Sequence, residues 1–147
     1  HGTPAREALL AGVPSLSLAE VSCPSLLVRD LGGSERNIAA LFRAARAAAP
    51  CVLVLEAIEA LAAPRGGDDT TEGTMDRVLS TLLTEMDGIA AGSGGAGGGG
   101  VAVIATTRFG AEGIDPALLR SGRLGEVLQV RLPCRDTRTA IAAHELA

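Results

Sequence analysis

Lysine is absent from this chain of 147 residues, so all 13 basic side chains are arginines. That absence excludes any mechanism built on a lysine amine, including the P-loop lysine that reaches a nucleotide's terminal phosphates. Tryptophan and tyrosine are absent too, and the aromatics reduce to Phe42 and Phe109. With 17 acidic residues against those 13 arginines, the formal charge is −4. A mildly acidic chain without stacking platforms is a poor general nucleic-acid binder, and no nucleic-acid partner is expected. The longest apolar runs fall far short of the ~20 residues that span a bilayer, and no signal peptide opens the chain, so no membrane insertion is expected. Cys23, Cys51 and Cys134 are an odd and widely spaced set. They match neither a metal spacing nor a disulfide framework, which points to a reducing, intracellular and most simply cytoplasmic setting.

What is present is aliphatic. The apolar fraction of 47% suffices for the core of one domain. Leu16 to Val21 alternates like a strand. Ser34 stands where an N-cap would, and Ile38, Leu41, Phe42 and Ala45 follow at the 3, 4 and 7 spacing of a helix over 34–49, stopped by Pro50. Cys51 to Leu55 is apolar on both faces, as a central parallel strand must be, and Val101 to Thr106 reads as a second buried strand. Met75, Val78, Leu79, Leu82, Leu83 and Met86 make an apolar stripe that predicts a helix over about 72–87, after a loop-like 64–74 and before a stop at Asp87-Gly88. Val127 to Leu132 reads as a further strand, and Asp136 to Ala147 as the start of a last helix. Strand, helix, strand, helix, strand is the pattern of an α/β fold with a parallel sheet, its helices packed on the sheet faces. Residues 88–100 are nearly all Gly, Ala and Ser, and such a stretch is expected to be a flexible surface loop.

Several stretches, in one order and spacing, resemble the AAA ATPases. They are Pro24-Ser25-Leu26-Leu27, Gly32-Gly33-Ser34-Glu35, Ala48-Ala49-Pro50-Cys51, Asp76-Arg77-Val78-Leu79, Leu82-Leu83-Thr84-Glu85-Met86-Asp87-Gly88, and the run Ile114-Asp115-Pro116-Ala117-Leu118-Leu119-Arg120-Ser121-Gly122-Arg123-Leu124. The wording is closest to the tandem-ring type, the Cdc48, Afg2 and peroxisomal AAA proteins, without a choice among them. The resemblance implies a Rossmann-like parallel core over 1–132, with the first strand and the C-terminal lid incomplete and 133–147 beginning a lid helix. It also implies ATP and Mg²⁺ held between subunits of a ring.

The same resemblance implies which parts of a nucleotide site are altered. Gly2, Thr3 and Pro4 fall where the family has Gly-Lys-Thr, and Pro4 lacks the hydroxyl that would ligate Mg²⁺. Thr3-Pro4 is a good helix start instead, and Gly12 a plausible stop. Glu56 and Ala57 fall on the Walker B Asp-Glu pair: Glu56 keeps a charge one methylene further out, a weakened metal ligand, and Ala57 can polarise no water. Glu59 matches a further acidic position. Thr107, in Ala105-Thr106-Thr107-Arg108, replaces the sensor asparagine, and Phe109 to Gly113 carries about two extra residues. In Val28-Arg29-Asp30-Leu31-Gly32, Asp30 takes the place of the pore-loop aromatic between Arg29 and Leu31.

Arg120 and Arg123 match both arginines that the family presents to the γ-phosphate bound by the next subunit. A planar, permanently charged fork suits that task. Residues serving the chain's own nucleotide are thus altered at three places, while those facing a neighbour stand. The expectation is a degenerate AAA domain with weak or absent ATP and Mg²⁺ binding, acting as a structural or regulatory member of a hetero-oligomeric ring with other AAA subunits. An active ATPase with unusual residues, and a lone Rossmann-like scaffold that binds a partner without a ring, are the alternatives.

Overall fold

The computed structural model describes residues 16–63, 69–92 and 100–145. Three parallel strands form one sheet in the order β1 (Ser17–Ser22), β2 (Cys51–Glu56), β3 (Val101–Ala105). The register sets Ser17 beside Cys51 and Cys51 beside Val101. Between the strands run α1 (Gly33–Ala47), a single turn α2 (Glu59–Ala62), and α3 (Asp69–Gly92); α4 (Arg135–Glu145) closes the chain. The α/β reading is thereby confirmed.

Side chains alternate across a strand, so each strand offers two faces. One face carries Leu53 and Leu55, both fully buried, with Cys51, Val101, Ala19, Val21 and Val103. Ile38, Phe42 and Ala45 of α1 and Val78, Leu79, Leu82 and Met86 of α3 complete this core. Both helices therefore serve one face rather than one each. Among the described residues the opposite face is less covered: Val52 is buried, but Ala102 is exposed and Ile104 is 46% exposed. The reading of Val101 to Thr106 as a buried strand thus holds on one face only, and the strand ends at Ala105.

Two boundaries differ because a helix propagates wherever nothing stops it. No proline stands between Pro64 and Pro116, and α3 begins at Asp69, inside the stretch expected to be loop. At its other end α3 runs through Gly88 to Gly92, since Ile89 still packs against the core. The first part of the expected 88–100 loop is therefore helical; residues 93–99 lie outside the described residues. Ser34 is not the N-cap of α1, which is Gly32 in a left-handed conformation at φ 70.

Val127 to Leu132 forms no strand. Leu128, Val130 and Leu132 are each over 90% exposed. Strand propensity needs a ladder partner and a covered face to act. The described sheet ends at β3, so this alternating segment has neither. The last helix appears where expected, starting at Arg135, with no buried residue.

Candidate functional site

The carboxyl ends of β2 and β3 bring Glu56, Glu59, Thr107 and Arg108 to one edge of the sheet, where open α/β sheets bind ligands. Glu56 closes β2 and is exposed. Ala57 follows in the left-handed region at φ 55, a conformation that costs a residue with a Cβ about 1 kcal/mol. Backbone bonds tie the edge together: Ile58 N–H donates to Thr106 O at 3.0 Å, and Thr106 N–H to Leu55 O at 2.9 Å.

Glu59 opens α2, and its side chain is 12% exposed. Neither carboxylate oxygen reaches solvent or closes a hydrogen bond of ordinary geometry, and Arg108 Nε stands 3.9 Å away. Burial raises its pKa. The N–H groups of Glu59 and Arg108, the Thr107 hydroxyl and the Arg108 guanidinium outweigh that and hold the carboxyl below the ordinary glutamate range. Thr107 Oγ1 accepts the Phe109 N–H at 3.1 Å, which leaves its own proton free to turn towards Glu59. Beneath this edge the fully buried Cys23 has its thiol pushed up to about 11, first by burial and then by the charges of Glu59 and Glu56.

The side chains described at this edge offer few solvent-facing donors. Glu56 offers one exposed carboxylate, Ala57 no polar atom, Glu59 is shielded beside Arg108, and the chain has no lysine. Among the described residues no cluster of three His, Cys, Asp or Glu side chains could hold a metal ion. Gly2, Thr3 and Pro4, and the helix expected from Thr3 to Gly12, lie outside the described residues.

Arg29, Asp30 and Leu31 sit together on an exposed loop ahead of α1, with Leu31 82% exposed at its tip. Buried Ser34 locks this loop: its hydroxyl accepts the Val28 N–H at 2.9 Å and lies 3.3 Å from Val28 O. A Cβ on Gly33 would collide with the Val28 side chain, which explains the glycine.

The run from Ile114 to Leu124 folds as a compact loop beside α3. Ile114 and Leu118 are buried in the core, and Asp115 N–H donates to Ala62 O at 2.8 Å. Asp115 Oδ1 accepts the Ala117 N–H at 2.8 Å, and Leu124 N–H returns to Leu118 O at 2.9 Å. The two arginines of this run differ. Arg123 is 17% exposed and gripped by Asp87: Nε donates to Oδ1 at 2.7 Å and an Nη2 proton to Oδ2 at 2.8 Å. An Nη1 proton goes to Ala117 O at 2.7 Å. The pairing lowers the Asp87 pKa and raises that of Arg123, chiefly through the hydrogen bonds between them. Arg120 is exposed, and among the described residues its side chain has no hydrogen-bond or ion-pair partner. The sequence places Asp87 in a family-like run and points to no partner for it. A bond spanning 36 residues leaves no trace in spacing.

Residues 5–132 match the family model described as "ATPase family associated with various cellular activities (AAA)". The chain belongs to the AAA family. Among its relatives, the peroxisomal ATPase PEX6 of Neurospora crassa is 43% identical over 114 residues, 78% of this chain and 8% of that protein. The peroxisomal ATPase PEX1 of Arthrobotrys oligospora is 40% identical over 132 residues, 90% of this chain and 10% of that protein. PEX6 of Saccharomyces cerevisiae is 38% identical over 124 residues, 84% and 12% respectively. The chain thus spans about a tenth of the length of these curated relatives. Nucleotide binding is the general property of this AAA family. Among the described residues no helix is long and apolar enough to cross a membrane.

Proposed function

We propose that this AAA domain is a ring subunit that does not hydrolyse nucleotide itself and instead presents Arg120 to the ATP of a neighbouring subunit. The observation that carries this reading is the contrast between a donor-poor sheet edge and an Arg120 that is exposed and, among the described residues, unpaired, in a run that keeps both family arginines although Ser121 and Gly125 depart from the family pattern. A guanidinium reaching a neighbour's phosphates stabilises charge on the oxygens of the transferring phosphoryl group without needing any other group of this chain's own site. ATP and Mg²⁺ bind weakly or not at all at this chain's own site. Its partners are other AAA subunits in a hetero-oligomeric ring, and the relatives named peroxisomal ATPases PEX6 and PEX1 support an intracellular, peroxisomal setting.

The test is ATP turnover by the full-length protein assembled with its AAA partners. Arg120→Ala is expected to lower turnover by about 10³-fold or more, the low end of what an arginine finger supplies. Arg120→Lys should rescue poorly, because a point charge lacks the fork. Glu56→Ala should leave the rate unchanged. Loss of all turnover in Glu56→Ala, with Arg120→Ala silent, would identify an active ATPase and overturn the proposal.

A further inference from the structure

Arg123 donates three hydrogen bonds within its own chain, two to Asp87 and one to Ala117 O, all at 2.7–2.8 Å. To touch a phosphate on another subunit it would have to abandon them. We propose that Arg123 is not a second finger but a positioning residue, which pins the loop carrying Arg120 to α3 through Asp87. The inference rests on the proposed role of Arg120 and adds to it the means by which that side chain is aimed.

The geometry supports the assignment. Exposed ion pairs are usually worth little, and the exception is a bidentate arginine–carboxylate pair held in one geometry. Arg123 meets that description, with both carboxylate oxygens engaged and its side chain largely covered. Asp87 stands on α3 directly after Met86, which is 3% exposed in the core, so its position is set by a packed helix. The loop is anchored at its first half by Leu118 and at its second half by Arg123. Arg120 lies between these anchors, and its carbonyl accepts the Arg123 N–H at 3.1 Å. Gly122, at φ 88, allows the chain to turn back over that short span. Releasing Arg123 therefore frees the turn from which Arg120 projects, while leaving the core anchors in place.

The test uses the full-length protein in its assembly and reads both ATP turnover and amide hydrogen exchange over residues 117–124. Arg123→Ala and Asp87→Ala should each lower turnover by about tenfold to a hundredfold, the worth of charge-assisted hydrogen bonds when lost. Their double variant should be no worse than the more damaging single one, because the two act as one unit. All three should speed exchange over 117–124 equally, whereas Arg120→Ala should leave exchange as it was. Asp87→Ala with normal turnover and exchange, beside an inactive Arg123→Ala, would make Arg123 a finger and overturn the inference. If Arg120→Ala leaves turnover intact while the exchange results hold, the proposed function falls and the Arg123–Asp87 anchorage stands. Unchanged exchange in Arg123→Ala and Asp87→Ala ends the inference whatever Arg120 does.

Discussion

The edge of the sheet at Glu56 and Thr107 and the loop at Ile114–Leu124 are both built from family motifs, yet they are supported very differently. At the edge, backbone bonds between β2 and β3 hold the frame while the side chains do little to support it: Ala57 has no polar atom, Glu56 faces solvent, and Glu59 is shielded beside Arg108. At the loop, two buried apolar anchors, an Asp115 turn and a three-bond arginine hold every part except Arg120. A strand ladder needs only backbone, so a site on it can lose its chemistry and keep its shape. A loop lacks that ladder and depends on its side chains to exist at all. The residues of the loop's motif therefore carry structural work as well.

The largest break in this comparison is the Arg120→Ala effect of about 10³-fold on a partner's turnover, against none for Thr107→Ala at the sheet edge. Equal losses from both, measured on the same assembly, would mean that the edge is catalytic after all. Leu118→Ala comes next. It removes a fully buried side chain from the loop's first anchor and should cost about 2–5 kcal/mol in chemical denaturation. A cost under about 1 kcal/mol would show that the loop is not seated in the core.

Thiol labelling sharpens the contrast at a smaller scale. Cys23, below the edge, has its thiol pushed up to about 11 by burial and by Glu59 and Glu56, whereas exposed Cys134 is lowered, first by the Thr137 hydroxyl. Thiolate is the reactive form, so native Cys134 should alkylate at least ~100-fold faster than Cys23 near pH 7.5. Raising the pH should saturate the Cys134 rate first, while Cys23 gains until about 11. Equal labelling of the two would contradict the burial of Cys23. The smallest effect is at Ala57: glycine adopts its positive φ freely, so Ala57→Gly should leave stability unchanged or raise it by up to about 1 kcal/mol. A clear loss of stability would mean that the Ala57 side chain packs more than it strains.

Local pattern made much of the fold legible. The two-sided apolar run at Cys51–Leu55 marked the central strand, and the stripe from Met75 to Met86 marked the long helix, because burial must follow the period of the element that is buried. The stretches at Val28–Glu35 and Ile114–Leu124 are legible as family-like words. Their supports are not: Ser34 bonds back to Val28 instead of capping α1, and Arg123 reaches Asp87 far along the chain.

The sequence by itself determined the parallel α/β class, the core positions of α1 and α3, the family, and the absence of lysine. Each is written in residue type and near-neighbour spacing. Only the tertiary structure decided that both helices share one face of the sheet, that Val127–Leu132 finds no ladder in the described sheet, that Glu59 is covered beside Arg108, and that Arg120 projects while Arg123 is tied down. Those outcomes depend on which distant groups arrive at the same place. A hydrogen bond or a covered face exists only when its partner does, and no local pattern names the partner.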